Sequence, residues 1–400
     1  MTTWAKMTSC VSMTTTAGSD PGKMPDGMDI ALGASILNRG LQSGYLDGIG
    51  TYTLHLLEGL RVRRQQVVPY VFSNDADAGL APGMCAFPGR FGLDLLGAAI
   101  IGRPFPDDGL TGRIFHATDH RIPRLRGRPV VATLMDPVPL MRSDWVTPGF
   151  RRTKNWFFQR STQWADRVIA ISESAAEDLV EYFRINPNRI TVIPLGVDGN
   201  FSASLAESVR QTALARHGLS GSFFLFIGTL QPRKNLERII DAHQSLPLPV
   251  RNSFPLVIAG RHGWGGEALV ARLRQLEAKG TVRWLNYVTN EEKLALLKSA
   301  HALVFPSLYE GFGLPVLEAF ASGLPVITSN TTALPEVAGD AALLVDPRST
   351  DEIAEAMLKL VEDQALHGSL VVRGLQRAQQ FSWDRCVDAT LDVYRQMLPT

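Results

Sequence analysis

From Met28 onward, short apolar runs alternate with segments of helical period. MDIALGA (28–34), VVPYVFS (67–73), RIFHAT (113–118), RPVVATLM (128–135) and DRVIAIS (166–172) read as strands. Helices are expected after Gly50, after Pro148 and after Ser174, where Ser174 and Glu177 have capping-box spacing. The second half repeats the scheme. FFLFIGT (223–229), PLVIAGR (255–261), VRWLNYV (282–288), HALVFPS (301–307) and LPVITSN (324–330) are strands, with helical segments between them. Such alternation predicts parallel sheets covered by helices on both faces. The 400 residues accommodate two such sheets. The boundary is expected near 197–221, in the stretch VDGNFSASLAESVRQTALARHGLSGS, which has no strand pattern. Ligands in this architecture bind at the carboxyl ends of the strands, which places a site in the cleft between the sheets.

Composition removes several function classes. A net charge of +1 gives no global field to recruit nucleic acid. Cys10, Cys85 and Cys386 are scattered and odd in number, which fits a reducing compartment better than a disulfide framework. The richest apolar run, LLGAAII (95–101), is far too short to span a bilayer. Residues 1–27 lack the apolar middle of a secretory signal and read as a disordered tail. The expectation is a cytoplasmic enzyme or binding protein.

The stretch SLYEGFGLPVLEAFASGLPVI (307–327) holds Glu310 and Glu318 on either side of a glycine-broken turn. Gly311 and Gly313 permit close backbone approach or positive φ. Pro315 suits a helix start, whose free N–H groups and dipole attract anions. The two carboxylates lie on the order of 10 Å apart along a helix rise, about the reach of a sugar–diphosphate–ribose. Taken alone, the pair equally fits a solvent-facing Glu310 and a Glu318 that favours the helix dipole. A second motif sharpens the choice. GTLQPRKN (228–235) places Arg233 and Lys234 between a strand and a helix, where cations suit a diphosphate leaving group. An isolated Arg-Lys pair is ordinarily a solvated patch; two such motifs on neighbouring strand ends are more specific.

With these motifs the sequence resembles family 4 of the retaining glycosyltransferases, which have the two-Rossmann GT-B fold. The resemblance also rests on GIGTYTLHLLEGL (48–60), ADRVIAISESAAEDL (165–179), VIPLGVD (192–198) and LNYVTNEEKLALLKSA (285–300). FSWDRCVDATLDVYRQM (381–397) is similar to the family's closing helix, which crosses back to the first domain. The resemblance implies an α/β chain of two Rossmann-like domains facing across a cleft. Residues 28–198, completed by 381–400, would form the acceptor-side domain. Residues 199–221 would link it to a nucleotide-sugar domain, 222–380. Implied roles follow. Glu310, Arg233 and Lys234 carry the chemistry: Glu310 contacts the donor sugar, and the two cations bind the diphosphate. Gly311, Phe312, Gly313 and Leu314 offer backbone N–H groups, with Gly228 in the facing turn. Glu318 binds ribose, and Tyr287 and Val288 face the base. Gly48, Ile49 and Gly50 form a first-domain loop over diphosphate and sugar, with Asp136 nearby. The family implies no metal and no cofactor.

The chain departs from the family at ATLMDPVPL, where Met135 stands in place of an expected histidine and Asp136 remains. Methionine cannot donate a useful hydrogen bond or shuttle a proton. His116 and His120, at the preceding strand end, are candidates to enter the cleft, or are ordinary loop histidines. Their i, i+4 spacing lacks the glutamate of a zinc helix. The DAD triplet (75–77) has no context for metal binding, and GIG (48–50) lacks the third glycine of a dinucleotide fingerprint. The segment from Arg151 to Trp164 is basic and aromatic. It reads as a packed helix with a solvated side, or alternatively as a peripheral dock on an anionic membrane.

The function expected is transfer of a hexose from a nucleoside diphosphate sugar to a saccharide or lipid-linked acceptor in surface-polysaccharide synthesis. The donor expected from the resemblance is GDP-mannose, with UDP- and dTDP-sugars as alternatives. A nucleotide-sugar epimerase or hydrolase would consume donor without acceptor. A non-catalytic sugar-nucleotide binder would not turn over at all. A phosphorylase would need a cofactor-bearing lysine. No nucleic-acid partner is expected.

Overall fold

The computed structural model describes residues 27–398, apart from 78, 143–144, 146–150 and 264–266. Nearly all of the expected disordered tail, and the expected helix start after Pro148, lie outside those residues.

Two parallel sheets organise the chain. The first contains Asp29–Gly33 (β1), Gln66–Val71 (β2), Cys85–Ala86 (β3), Ile114–Ala117 (β4), Val130–Leu134 (β5), Arg167–Ala170 (β6) and Ile190–Val192 (β7). Its order is β3-β2-β1-β4-β5-β6-β7. The second contains Phe224–Ile227 (β8), Leu256–Ala259 (β9), Val282–Asn286 (β10), Ala302–Phe305 (β11), Val326–Ser329 (β12) and Leu343–Val345 (β13). Its order is β10-β9-β8-β11-β12-β13. Every residue of β5, β8, β9, β11 and β12 is buried, as strands covered on both faces must be. Each order reverses direction once, between β1 and β4 and between β8 and β11. In register, Leu32 lies beside His116, and Leu303 beside Leu225. Doubly wound sheets open their crevices at such reversals.

The helix Trp383–Met397 ties the last described residues to the first domain. Ser382 caps it by accepting from the Arg385 N–H at 3.1 Å. Cys386, Val387, Thr390, Leu391 and Tyr394 recur at helical spacing and are buried. Each large apolar side chain so placed contributes about 1.5–3 kcal/mol. Arg63 fastens the exposed side through Asp388 at 2.5 Å and Asp384 at 3.0 Å. His55 stacks on Trp383 with centroids 4.4 Å apart.

Two expectations need correction, a helix cap and a loop, and the linking segment gains an element. Ser172, not Ser174, caps the helix Glu173–Phe183, accepting from the Ala175 N–H at 2.9 Å. The segment without a strand pattern holds a helix, Glu207–Arg216, which docks on Asn290–Ser299 of the second domain. Gly48, Ile49 and Gly50 are not a loop: they form the first turn of the helix Gly48–Val62. Asp47 caps that turn through the Gly50 N–H at 2.7 Å.

Candidate functional site

The second sheet's reversal brings the turn after β8 beside the turn after β11. Asn235 adopts φ 62° and donates its side-chain amide to the carbonyls of Pro306 and Pro347, at 2.9 and 2.6 Å. The first bond stitches the turn bearing Arg233 and Lys234 to the turn bearing Glu310, and the second ties it to the segment after β13. Lys234 Nζ donates to Glu310 Oε1 at 2.5 Å, and Arg233 donates to Glu310 Oε2 and to the Tyr309 carbonyl, both at 3.1 Å. Lys234 also sits 4.9 Å over the Phe305 ring. Glu310 is 7% exposed and Lys234 9% exposed.

The electrostatics follow from that burial. Desolvation opposes the Glu310 carboxylate, but the attraction of Lys234 and Arg233 outweighs it and holds its pKa below the ordinary value. Desolvation dominates at Lys234, assisted by repulsion from Arg233, and brings its pKa down to about 8 despite Glu310. The cluster carries two cations against one carboxylate. The Asp136 carboxylate of the first domain also acts on both cations, and the cluster lies beside the helix Leu314–Ala321, which begins after Gly313 at φ 114°. An anion delivered there meets fixed counter-charge and helix-start N–H groups together.

The first domain closes over this cluster. A Cβ added at Gly311 would lie 2.2 Å from the Met135 carbonyl oxygen and 3.2 Å from Asp136 Cβ, so only glycine permits the approach. Ser172 Oγ donates to the Gly311 carbonyl at 2.8 Å, and both groups are buried. Tyr309 Oη donates to Asp178 at 2.7 Å. Glu336 accepts from the N–H groups of Glu173 and Ser174, anchoring its charge at a helix start. Met135 is half-buried at this contact, and Asp136 accepts from the Val138 N–H at 3.1 Å.

Beside the ion cluster lies an interdomain cavity of about 420 Å³. Among the residues expected at the site, it is lined by Gly228, Tyr287, Val288, Leu314 and Glu318. Glu318 receives Lys293 Nζ at 2.6 Å. Glu310, Arg233, Lys234, Gly311 and Asp136 lie outside its lining. Phe312 is buried in the core, its ring against Phe381. Gly48 faces Leu314 across the gap, 3.9 Å from an added Cβ to Leu314 Cδ1.

The two histidines part company. His116 does not enter the cleft. It is fully buried on β4, its Nδ1 paired with Tyr394 Oη at 2.5 Å and its Nε2 with Thr133 Oγ1 at 2.8 Å. Burial lowers its pKa to about 3, so it stays neutral. His120 stays near the site, its ring against Phe158 and Phe183. Its Nδ1 is shut from solvent without a hydrogen-bond partner, and burial lowers its pKa against the pull of Asp136 and Asp119. Among the described residues no group of three or more His, Cys, Asp or Glu is gathered as a metal site, and no helix is long and apolar enough to cross a membrane.

Residues absent from the sequence reading also line the cavity. Tyr45, Arg261 and Lys293 are brought there only by tertiary structure. Asp47 did carry a local signal, an aspartate immediately before a helical run.

Comparison with known proteins agrees with this architecture. Residues 46–201 match the model described as "Glycosyltransferase Family 4", and residues 215–377 match "Glycosyl transferases group 1". The chain is 32% identical over 235 residues to the O-antigen chain mannosyltransferase B of Escherichia coli, covering 58% of this chain and 61% of that protein. It is 31% identical over 278 residues to the serotype-specific mannosyltransferase WbdA of Escherichia coli, covering 67% of this chain but 33% of that larger protein. In fold it is similar to Anabaena HepE, solved with UDP and glucose, at TM-score 0.70 and 17% identity, covering 92% and 99% of the two chains. WaaG, a glycosyltransferase involved in lipopolysaccharide biosynthesis, aligns at TM-score 0.64 and 15% identity, covering 91% and 99%. Two family models in tandem, on two doubly wound sheets of the GT-B type, establish that the chain belongs to the family 4 glycosyltransferases.

Proposed function

We propose that the chain is a retaining hexosyltransferase that moves mannose from GDP-mannose to a saccharide or lipid-linked oligosaccharide during surface-polysaccharide assembly. The observation that carries this reading is the buried Lys234–Glu310–Arg233 cluster beside the helix start at Leu314. Departure of the nucleoside diphosphate places growing negative charge on the leaving oxygen and positive charge on the sugar ring. Arg233, Lys234 and the helix start stabilise the first. Glu310 orients the two cations, and Gly311, whose carbonyl Ser172 fixes, sets the approach of the first domain. In this reading Glu318 and Lys293 meet ribose and phosphate, and Tyr287 and Val288 meet the base. The acceptor hydroxyl gives its proton to the departing phosphate, on the same face of the sugar. The names of the mannosyltransferase relatives support mannose as the sugar and polysaccharide as the product class.

The membrane-side part of the proposal rests on an exposed apolar helix face. Leu93, Leu96, Ile100 and Ile101 of the helix Phe91–Ile101 are 45–74% exposed. This helix packs against Arg151–Thr162, which carries Arg152, Lys154 and a 47% exposed Trp156. Apolar side chains beside cations suit an anionic bilayer surface. It would present a lipid-linked acceptor to the first domain.

Met135 favours one second reading, a sugar-nucleotide binder that does not turn over, because a thioether cannot do the hydrogen bonding of the expected histidine. Incubating the purified protein with GDP-mannose and oligomannose acceptors decides the matter. An extended product whose anomeric configuration equals that of the donor supports the proposal. Donor binding with no consumption on any acceptor favours the binder, and donor consumption without acceptor indicates a hydrolase.

A further inference from the structure

Arg261 follows β9 and lines the cavity. Its guanidinium lies 4.3 Å from the centroid of the Tyr287 ring and 5.1 Å from that of Tyr45, which belongs to the other domain. The two rings meet edge to face with centroids 6.2 Å apart, and Tyr287 Oη donates to the Gly44 carbonyl at 3.3 Å. No hydrogen bond or ion pair engages its side-chain N–H groups among the described residues. Stacking uses the faces of a guanidinium and leaves its donors in the plane. A planar fork of donors is therefore held against aromatic rings at the open wall of a cavity, exposed to solvent and without a protein partner among the described residues.

The position of Arg261 along the sheet indicates what it meets. The cations for a diphosphate, Arg233 and Lys234, follow β8 at the reversal. Arg261 lies one strand further out, and Tyr287 follows β10, two strands out. Neighbouring strands are about 4.8 Å apart, so a nucleotide with its phosphates at the reversal and ribose near Glu318 extends its base toward Tyr287. Arg261 stacks on that residue. A base edge that complements a donor-only fork must offer two adjacent acceptors. Guanine does so with O6 and N7, whereas adenine pairs an acceptor with a donor and pyrimidines have no N7.

We infer that Arg261 reads the guanine O6/N7 edge and sets the nucleotide preference of the donor site. This rests on the reading of the cavity as a nucleotide-sugar site and goes further by assigning the base to one side chain. The test is calorimetric titration of GDP, UDP, ADP and 7-deaza-GDP into wild type, Arg261→Lys and Arg261→Ala. Thermal unfolding of each variant verifies its fold. Lysine keeps the charge and can keep a cation–π contact, but loses the planar fork and its stacking. The expected result is a preference of wild type for GDP over UDP and ADP of roughly tenfold or more. Arg261→Lys should lose most of that preference with UDP binding little changed. 7-deaza-GDP, lacking N7, should bind wild type about as weakly as GDP binds the lysine variant. Equal weakening of GDP and UDP in Arg261→Lys would overturn the inference, making the residue a phosphate contact or an interdomain clamp. A wild-type preference for UDP or ADP would overturn it too. Binding is measured without transfer, so guanine selectivity without turnover would leave the inference standing and remove the transferase reading. Binding of no nucleotide would remove both.

Discussion

Replacing Lys234 by methionine separates the stabilising and chemical roles of the buried cluster. Both partners are almost wholly removed from water, so solvent screening is weak. Breaking a buried pair by deleting one partner costs about 3–5 kcal/mol, because the surviving charge is left uncompensated. Arg233 still holds the other Glu310 oxygen at 3.1 Å, which places Lys234→Met at the lower end, about 3 kcal/mol. For a domain of this size, that lowers the unfolding transition by roughly 6–12 °C. Glu310→Gln alone leaves both cations without their carboxylate. The double variant leaves only Arg233 facing a neutral amide, so it should be less destabilised than the two single variants summed, because the Lys234–Glu310 coupling is lost once. It should not recover transfer, because the cation facing the leaving group is still missing. Differential scanning calorimetry with a donor-turnover assay on the wild type, both single variants and the double variant reads both quantities. An unmoved transition in Lys234→Met would refute the argument. So would a double variant as unstable as the sum of the singles, or one that transfers at the wild-type rate.

Further expectations follow from the same geometry. Gly311→Ala drives a Cβ into the Met135 carbonyl and should hold the domains apart; small-angle scattering should show an expanded particle, and kcat/KM should fall at least tenfold. With Lys234 at about 8, donor kcat/KM should decline as pH rises above about 8, and Lys234→Arg should flatten that decline. Stability runs the other way. Between about 8 and the ordinary 10.5 the unfolded chain binds the extra proton, so the contribution of this lysine to stability rises with pH and is lost as pH falls through about 8. If wild type transfers, Met135→His and Met135→Ala should both be slower, because each removes the apolar contact of the thioether at the cleft wall; gain of activity in Met135→His over an inert wild type would show the chain to be a binder.

The alternation of apolar runs and helices was legible because strands buried on both faces are written as unbroken hydrophobic segments such as FLFI and ALVF. Ile190–Val192 and Leu343–Val345 escaped because three residues carry no period. Glu310 and Lys234 were both nominated from local turns, but their direct pairing joins residues 76 positions apart and has no local trace. The same holds for Lys293 on Glu318 and for Arg261 between two tyrosines of different domains. His116 was misplaced for a related reason. A histidine on a strand end resembles a cleft residue until the hydroxyls of Thr133 and Tyr394 are seen to use both of its nitrogens. Ser172 and Ser174 present equivalent capping chemistry, and the choice between them depends on where the strand releases the chain.

The helix Trp383–Met397 has a consequence for the order of events during synthesis. Its Tyr394 is fully buried in the first domain and satisfies His116, yet it is made about 200 residues after β7. At ordinary elongation rates that interval is roughly 10–40 s. Throughout it, the groove beside Tyr52 and Leu56 stays uncovered and a buried histidine lacks its hydroxyl. The sheet of the first domain is thus made long before the helix that covers it, and the nascent chain carries an open apolar groove until the second domain has emerged.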